Sequence, residues 1–327
     1  MNKNKKILIV RLGAIGDVVH SSALFRSIKK KYPDSIIHYA TTKVPSLLIE
    51  NDPDLDKVWV LDSSKIKSYK YLYEFSKELR KENYDICINL QPSLRIKFFC
   101  FCTGAKKHIT YKKSFKFHAV ENFWRTGLSA FKDLELDKNL KIYLDESVKN
   151  TVKEKFTNFK RPLVIMNVAL STTRQGRLWP PEYWIKLTNS LVEKYDCQIV
   201  LTGAKEDIPS TQPLLGLTNV ISFCGELSIA ETAALMSFSN LVISGDTGPL
   251  HIATAVGVNT IGIYGAAPIS RTGPYGEKAN AICSDFKCMA CNRRKCKFLK
   301  KNELYTPCLV ELKPKYILNM IDTKNLI

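Results

Sequence analysis

A chain of 327 residues is long enough for two domains of ordinary size. With 45% hydrophobic and 24% charged residues it can bury a sizeable core, which excludes a disordered polymer. The balance of 49 Lys and Arg against 31 Asp and Glu, a net +18, favours an anionic partner such as nucleic acid, a membrane surface or a phosphorylated substrate; lysine-rich solvated faces are the bland alternative.

The start, Met1-Asn2-Lys3-Asn4-Lys5-Lys6, is basic, but the apolar run Ile7 to Val10 ends at Arg11. A secretory core needs roughly 7 to 15 apolar residues, so the expectation is a cytoplasmic protein, at most resting on a membrane, with its cysteines mostly reduced. Lys6 to Val10 predicts a buried strand, followed by a glycine turn and a helix over Val18 to Tyr32. Further strands are predicted over Ile36 to Ala40, Val58 to Leu61 and Ile86 to Leu90, with an amphipathic helix over Tyr69 to Glu82. A second series of strands follows: Leu163 to Val168, Gln198 to Leu201, Val220 to Phe223, Leu241 to Ser244 and Thr260 to Tyr264. Helices are predicted between them over Glu182 to Tyr195, Ile208 to Leu215, Ile229 to Phe238 and Leu250 to Val256. Thr247 to Ser270 is free of Lys, Arg, Asp and Glu, but its Gly248, Pro249, Gly257, Gly262, Gly265 and Pro268 suit a buried helix and strand rather than a membrane span.

Alternation of strands and helices implies parallel sheets covered on both faces. The fold class is therefore α/β, with two doubly wound domains over 1–150 and 161–312, a Lys-rich link over Asp145 to Lys160, and a C-terminal helix over 313–327. Ligands bind such sheets at the carboxyl ends of the strands. Five polar loops fall there: Gly13 to Asp17, Ser171 to Arg174, Gly203 to Glu206, Gly245 to Gly248 and Gly265 to Pro268.

Gly245-Asp246-Thr247-Gly248-Pro249-Leu250-His251 reads as a phosphate site. Thr247 can cap a helix, Pro249 suits its first turn, and the free N–H groups there attract an anion. His251 lies about one turn in, while Asp246 has the wrong sign for phosphate and is expected to orient the loop or meet a sugar hydroxyl. Thr172, Thr173, Arg174 and Arg177 supply hydroxyls and guanidinium groups that clamp phosphate. Gly13 to Asp17 resembles a dinucleotide fingerprint lacking one glycine, a weak signal for a nicotinamide-dependent oxidoreductase. Asp17, at a helix start, could instead take a proton from a hydroxyl.

Arg95 to Lys116 carries seven Lys and Arg, no Asp or Glu, and the aromatic residues Phe98, Phe99, Phe101, Tyr111 and Phe115, a pattern open to nucleic acid, an anionic lipid surface or a solvated face. Cys288, Cys291, Cys296 and Cys308 could ligate zinc, but their spacing is irregular for a zinc ribbon and better suits reduced structural thiols.

Together these motifs resemble the family 9 glycosyltransferases, the ADP-heptose:lipopolysaccharide heptosyltransferases. The resemblance rests on Ile7 to Asp17, Asn89-Leu90-Gln91 to Arg95, Thr172-Thr173-Arg174 with Arg177 and Trp179-Pro180, Ser244 to Ala253, and Gly262 to Gly276. It implies a GT-B architecture of two Rossmann-like domains facing across a cleft, the first binding acceptor and the second nucleotide-sugar. It also implies inverting transfer of heptose from ADP-heptose to the inner core of lipopolysaccharide, a lipid A–Kdo or heptosylated acceptor, at the inner face of the cytoplasmic membrane. No cofactor or metal is obligatory, and nucleic acid is not a partner. By position, Asp17 would be the general base. Thr172, Thr173, Arg174, Arg177, Glu206, Asp246, Thr247, Gly248 and His251 would hold the donor, with Asp207 an alternative match for Glu206. Gly16, Gln91 and Arg95 would meet the acceptor. Two departures stand out: Arg177 replaces a frequent Lys, and Asn89 replaces the commoner Asp. A protein or other glycan acceptor is the alternative within the same chemistry.

Overall fold

The computed structural model describes residues 5–168 and 175–327. The chain divides into two compact units, Met1–Leu144 and Asp145–Ile327.

The first unit holds a parallel sheet of β1 (Lys6–Val10), β2 (Ile36–Thr42), β3 (Lys57–Leu61), β4 (Ile86–Asn89) and β5 (Lys107–Thr110), in the order β3-β2-β1-β4-β5. Ile7 to Val10 are wholly buried, as a central strand covered on both faces requires. Val10 pairs with Ala40 on one side and Asn89 on the other. The helix Ile15–Lys31 packs on the helix Ala119–Leu128. Their closeness depends on Gly127, where a Cβ would stand 2.3 Å from Leu24 Cδ1. On the other face, Tyr69–Arg80 packs on Leu94–Cys102 and buries Leu72, Ser76 and Leu79, the stripe of an amphipathic helix.

The second unit holds β6 (Leu163–Asn167), β7 (Gln198–Thr202), β8 (Val220–Ser222), β9 (Leu241–Gly245), β10 (Asn259–Ile263) and β11 (Ala279–Ile282), in the order β11-β10-β9-β6-β7-β8. All its described pairings are parallel. The helix Pro314–Lys324 packs on Pro181–Tyr195, and Ile317 and Ile321 share a core with Leu187 and Leu191.

Three expectations change. The Asp145 to Lys160 stretch is not a bare link: Asp145 accepts a 2.7 Å hydrogen bond from the Ser147 N–H and starts the helix Glu146–Lys155. That helix packs on Ile229–Ser237, and Phe156 meets Phe223 at a centroid distance of 4.9 Å, which places the stretch in the second unit. The helix expected over Ile208 to Leu215 is one turn, Ile208–Thr211, followed by a 3₁₀ turn at Gln212–Leu214. Pro213 supplies no N–H to continue it. The basic stretch from Arg95 is not one face but a helix, Leu94–Cys102, and an edge strand, β5.

In each sheet the chain winds outward from a central strand, then returns to build the other side. The strand order therefore reverses between β1 and β4 in the first unit and between β6 and β9 in the second. At such a switch point neighbouring loops diverge and leave a crevice for ligands.

Candidate functional site

At the first switch point, the loop after β1 is tied to its neighbours. Arg11 donates from Nη1 to the Leu90 carbonyl at 2.8 Å and forms an ion pair with the Asp17 carboxylate. The Leu12 N–H donates to Gln91 Oε1 at 3.1 Å, and the Gln91 N–H donates to Asn89 Oδ1 at 2.9 Å. Thr42 Oγ1 donates to the Leu12 carbonyl at 3.0 Å. Asp17 lies in the first turn of the helix Ile15–Lys31, where the dipole favours its charge. Its side chain is 34% exposed, so a carboxylate steadied by one guanidinium still faces solvent. Gly16 is buried in the same turn. Arg95, in the helix after β4, is half-buried with its guanidinium 6.0 Å from the Tyr69 ring centre. Among the described residues no hydrogen bond or ion pair joins Arg95 to Asp17 or Gln91. The structure thus links Asp17 and Gln91 through one loop and sets Arg95 against Tyr69 instead.

At the second switch point the organising residue is Asn167, at the end of β6. Its Nδ2 donates to the Thr202 carbonyl at 2.8 Å. Its Oδ1 accepts from Ser244 Oγ at 3.4 Å and from Thr247 Oγ1 at 3.3 Å, and the two hydroxyls lie 2.9 Å apart. Thr247 occupies the N-cap position of the helix Gly248–Ala255, yet its side chain makes no cap hydrogen bond. The expected capping role is therefore corrected: the hydroxyl is committed to Asn167 and Ser244. The first-turn N–H groups lack that side-chain acceptor and suit an external anion.

Arg177, in a short 3₁₀ turn at Gln175–Arg177, pairs with Asp246 at 2.6 Å. This explains a carboxylate in a loop suited to phosphate: Asp246 is buried and holds the cation in place. Its charge and, above all, burial push the Tyr264 hydroxyl far above the ordinary phenol range. A cavity of about 130 Å³ opens here, lined by Asn167, Arg177, Trp179, Gly245 and Thr247 among others. The loop after β10 packs tightly on the turn that carries Arg177, since a Cβ on Gly265 would stand 2.6 Å from the Gly176 carbonyl oxygen. Trp179 is fixed by its Nε1 donating to the Leu312 carbonyl at 2.8 Å.

His251 is buried one turn into the helix, where its carbonyl accepts from Thr254 Oγ1 at 2.8 Å. Glu206 is exposed in the 3₁₀ turn Lys205–Asp207, while Asp207 accepts from the Ala204 N–H at 3.0 Å. Thr172, Thr173 and Arg174 lie outside the described residues. Sequence reasoning missed Arg11, Asn167, Ser244 and Tyr264 as members of these networks. Asn167 had a signal: a polar residue closing the apolar strand Leu163-Val164-Ile165-Met166.

Cys288, Cys291, Cys296 and Cys308 form no disulfide, and Cys308 is buried against the Thr306 hydroxyl at 3.3 Å. Among the described residues no group of three or more His, Cys, Asp or Glu is arranged to hold a metal. No helix among them is long and apolar enough to cross a membrane.

Two parallel α/β units, each with a polar network at its strand-order reversal, have the architecture of a GT-B glycosyltransferase. The chain belongs to glycosyltransferase family 9: the family model described as Glycosyltransferase family 9 (heptosyltransferase) matches residues 72–302. It is similar to the lipopolysaccharide core heptosyltransferase OpsX of Haemophilus influenzae, with 23% identity covering 85% of this chain and 84% of the relative. Among solved structures, a family 9 glycosyl transferase from Veillonella parvula superposes with a TM-score of 0.86 at 21% identity, covering 99% of this chain and 97% of that one. The ADP-heptose lps heptosyltransferase II of Escherichia coli gives 0.77 at 18% identity, covering 97% and 98%. Family membership sets aside the nicotinamide oxidoreductase reading.

Proposed function

We propose that this glycosyltransferase moves a heptose from ADP-heptose onto the inner core of lipopolysaccharide, with inversion at the sugar carbon. The observation that carries the donor side is the Gly248–Ala255 helix, whose first turn lacks a side-chain cap and stands beside the Arg177–Asp246 pair. Fixed N–H groups and a guanidinium stabilise the charge that develops on a departing diphosphate, so the reaction needs no obligatory cofactor. Thr172, Thr173, Arg174, Glu206 and His251 complete the donor set in this reading.

In the transfer, the acceptor hydroxyl oxygen forms a bond to the anomeric carbon as the bond from that carbon to the diphosphate oxygen breaks. Asp17 takes the hydroxyl proton, and ADP leaves with the electron pair. Arg11 holds the Asp17 carboxylate in position, while Gly16, Gln91 and Arg95 contact the acceptor.

Because the acceptor in this reading is lipid-borne, we infer a cytoplasmic enzyme working peripherally at the inner face of the membrane. Support comes from Phe115, 66% exposed among the exposed Lys112, Lys113 and Lys116, with Lys113 Nζ 5.0 Å from its ring centre. Apolar side chains set among cations suit an anionic lipid surface.

The test mixes the purified protein with ADP-heptose and core acceptors of several lengths. ADP release and mass gain on one acceptor are expected. Failure with every acceptor overturns the proposal, and transfer onto a protein or unrelated glycan redirects it.

A further inference from the structure

The first unit has a second cavity, of about 340 Å³, between β4, β5 and the helix Leu94–Cys102. Asn89, Lys97, Phe101, His108 and Thr110 are among its lining residues, with the Cys87 and Cys100 thiols behind them. The sheet register places them together: Cys87 pairs with His108 and Asn89 with Thr110. The two-residue repeat of a strand then puts the four side chains on one face.

Asn89 makes this cavity chemically specific. It is 1% exposed, and its Oδ1 accepts the Gln91 N–H at 2.9 Å. That contact sets which end of the amide is the oxygen, and Nδ2 is left as a buried donor with no hydrogen-bond partner. A buried amide donor in this state carries a desolvation cost that a bound acceptor atom would relieve. The other polar side chains at the wall are Lys97 and His108, which donate, and Thr110, Cys87 and Cys100, which can donate or accept. Lys97 is exposed at the mouth and has no ion-pair partner among the described residues. The hydrogen bond with Cys87 raises the His108 pKa, while Cys100 and His108 lower that of Cys87, so a protonated imidazole here is already paired with a thiol inclined to ionise. No Asp or Glu lines the cavity, and Phe101, 72% exposed, offers an aromatic face.

We infer that this cavity is a binding site for the carboxylate or phosphate group of an acidic sugar, with Asn89 Nδ2 donating to the oxyanion, Lys97 balancing its charge and Phe101 covering the sugar ring. The site is distinct from the Asp17 loop, though Asn89 supports both through its two amide ends. Its tie to acceptor recognition rests on the transferase reading; binding of the sugar does not.

The experiment uses the full chain and four probes: glucuronate, glucose 6-phosphate, inorganic phosphate and glucose. Calorimetry gives affinities, and the Asn89 side-chain amide resonance reports the contact. Both acidic sugars should bind saturably and shift that resonance, glucose should not, and phosphate should bind more weakly than glucose 6-phosphate. Asn89→Asp keeps the acceptor for Gln91 but removes the donor, and Lys97→Ala is an exposed change that the fold tolerates. Each should weaken acidic-sugar binding about tenfold, as loss of one charge-assisted contact would. Equal binding of glucose, affinities unmoved by both variants, or phosphate binding as tightly as both acidic sugars (an adventitious ion only) would overturn the inference. ADP release measured on the same samples separates the two ideas. Turnover without acidic-sugar binding overturns this site alone, and binding without turnover on any acceptor leaves the site standing and overturns the transferase reading.

Discussion

Thr247 stands at the head of the Gly248–Ala255 helix, yet its hydroxyl lies 3.3 Å from Asn167 Oδ1 on the neighbouring strand. A residue that would ordinarily satisfy the helix start instead braces the end of β6, so the loop's own side chain does not compete with an incoming anion.

Asn167→Ala tests that brace. It removes the acceptor for Ser244 and Thr247 and orphans the Thr202 carbonyl, so unfolding free energy should fall by about 1–3 kcal/mol. The Michaelis constant for the sugar nucleotide should rise with it, because the loop no longer holds its geometry. Thermal denaturation and donor titration check both effects. A stability loss with unchanged donor affinity would confine Asn167 to the fold.

The Arg177–Asp246 pair separates stability from binding. Arg177→Met leaves the buried Asp246 carboxylate without its cation and should cost about 3 kcal/mol. Adding Asp246→Asn should restore much of the melting temperature but none of the affinity for ADP, since the guanidinium is still missing. Recovery of ADP binding in the double variant would show that Arg177 serves the loop and not the diphosphate.

Asp17→Asn should lower the transfer rate at least about a hundredfold, the range of a lost general base. ADP affinity should stay within about twofold, since the change removes one charge without changing the side-chain size. Arg11→Met should also lower the rate, through a misplaced Asp17, with a smaller effect. Calorimetry of ADP binding on both variants decides whether Asp17 acts in chemistry or in holding the protein together.

Stability should also report His38. It is buried beside Tyr84, with its Nδ1 2.8 Å from the hydroxyl, and burial lowers its pKa to about 4. An unfolded imidazole titrates near 6.5, so between these values the unfolded chain binds the extra proton. The contribution of neutral His38 is therefore complete above about pH 6.5 and is lost as pH falls towards 4. His38→Gln should flatten the melting-temperature profile in that window; an unchanged slope would assign the acid sensitivity elsewhere.

The sequence reveals most where burial is continuous. β1, β6 and β9 are apolar runs bounded by polar loops, and their carboxyl ends carry the motifs that the structure places at the two strand-order reversals. Edge strands hide because they lack such runs. β5, Lys107-His108-Ile109-Thr110, has one fully buried side chain and reads as part of a basic stretch. The first helix begins at Ile15, not Val18, because Ala14 offers no side-chain cap to mark the start. The pairs Arg11–Asp17 and Arg177–Asp246 were concealed differently. Each joins residues whose nearness depends on how a loop turns, and neither composition nor periodicity encodes that turn.

The Trp179 contact carries a consequence for the newborn chain. Its indole nitrogen bonds to a carbonyl 133 residues further on, at Leu312, whereas all five strands of the first unit are complete by Thr110. At roughly 5–20 residues per second, a ribosome would take on the order of ten seconds to deliver that partner. The first unit can therefore mature early, while the core around Trp179, Leu187 and Leu191 waits with apolar surface uncovered. The wall of the cavity lined by Asn167, Arg177 and Trp179 is among the later parts of the molecule to be assembled, and chaperone demand should concentrate there.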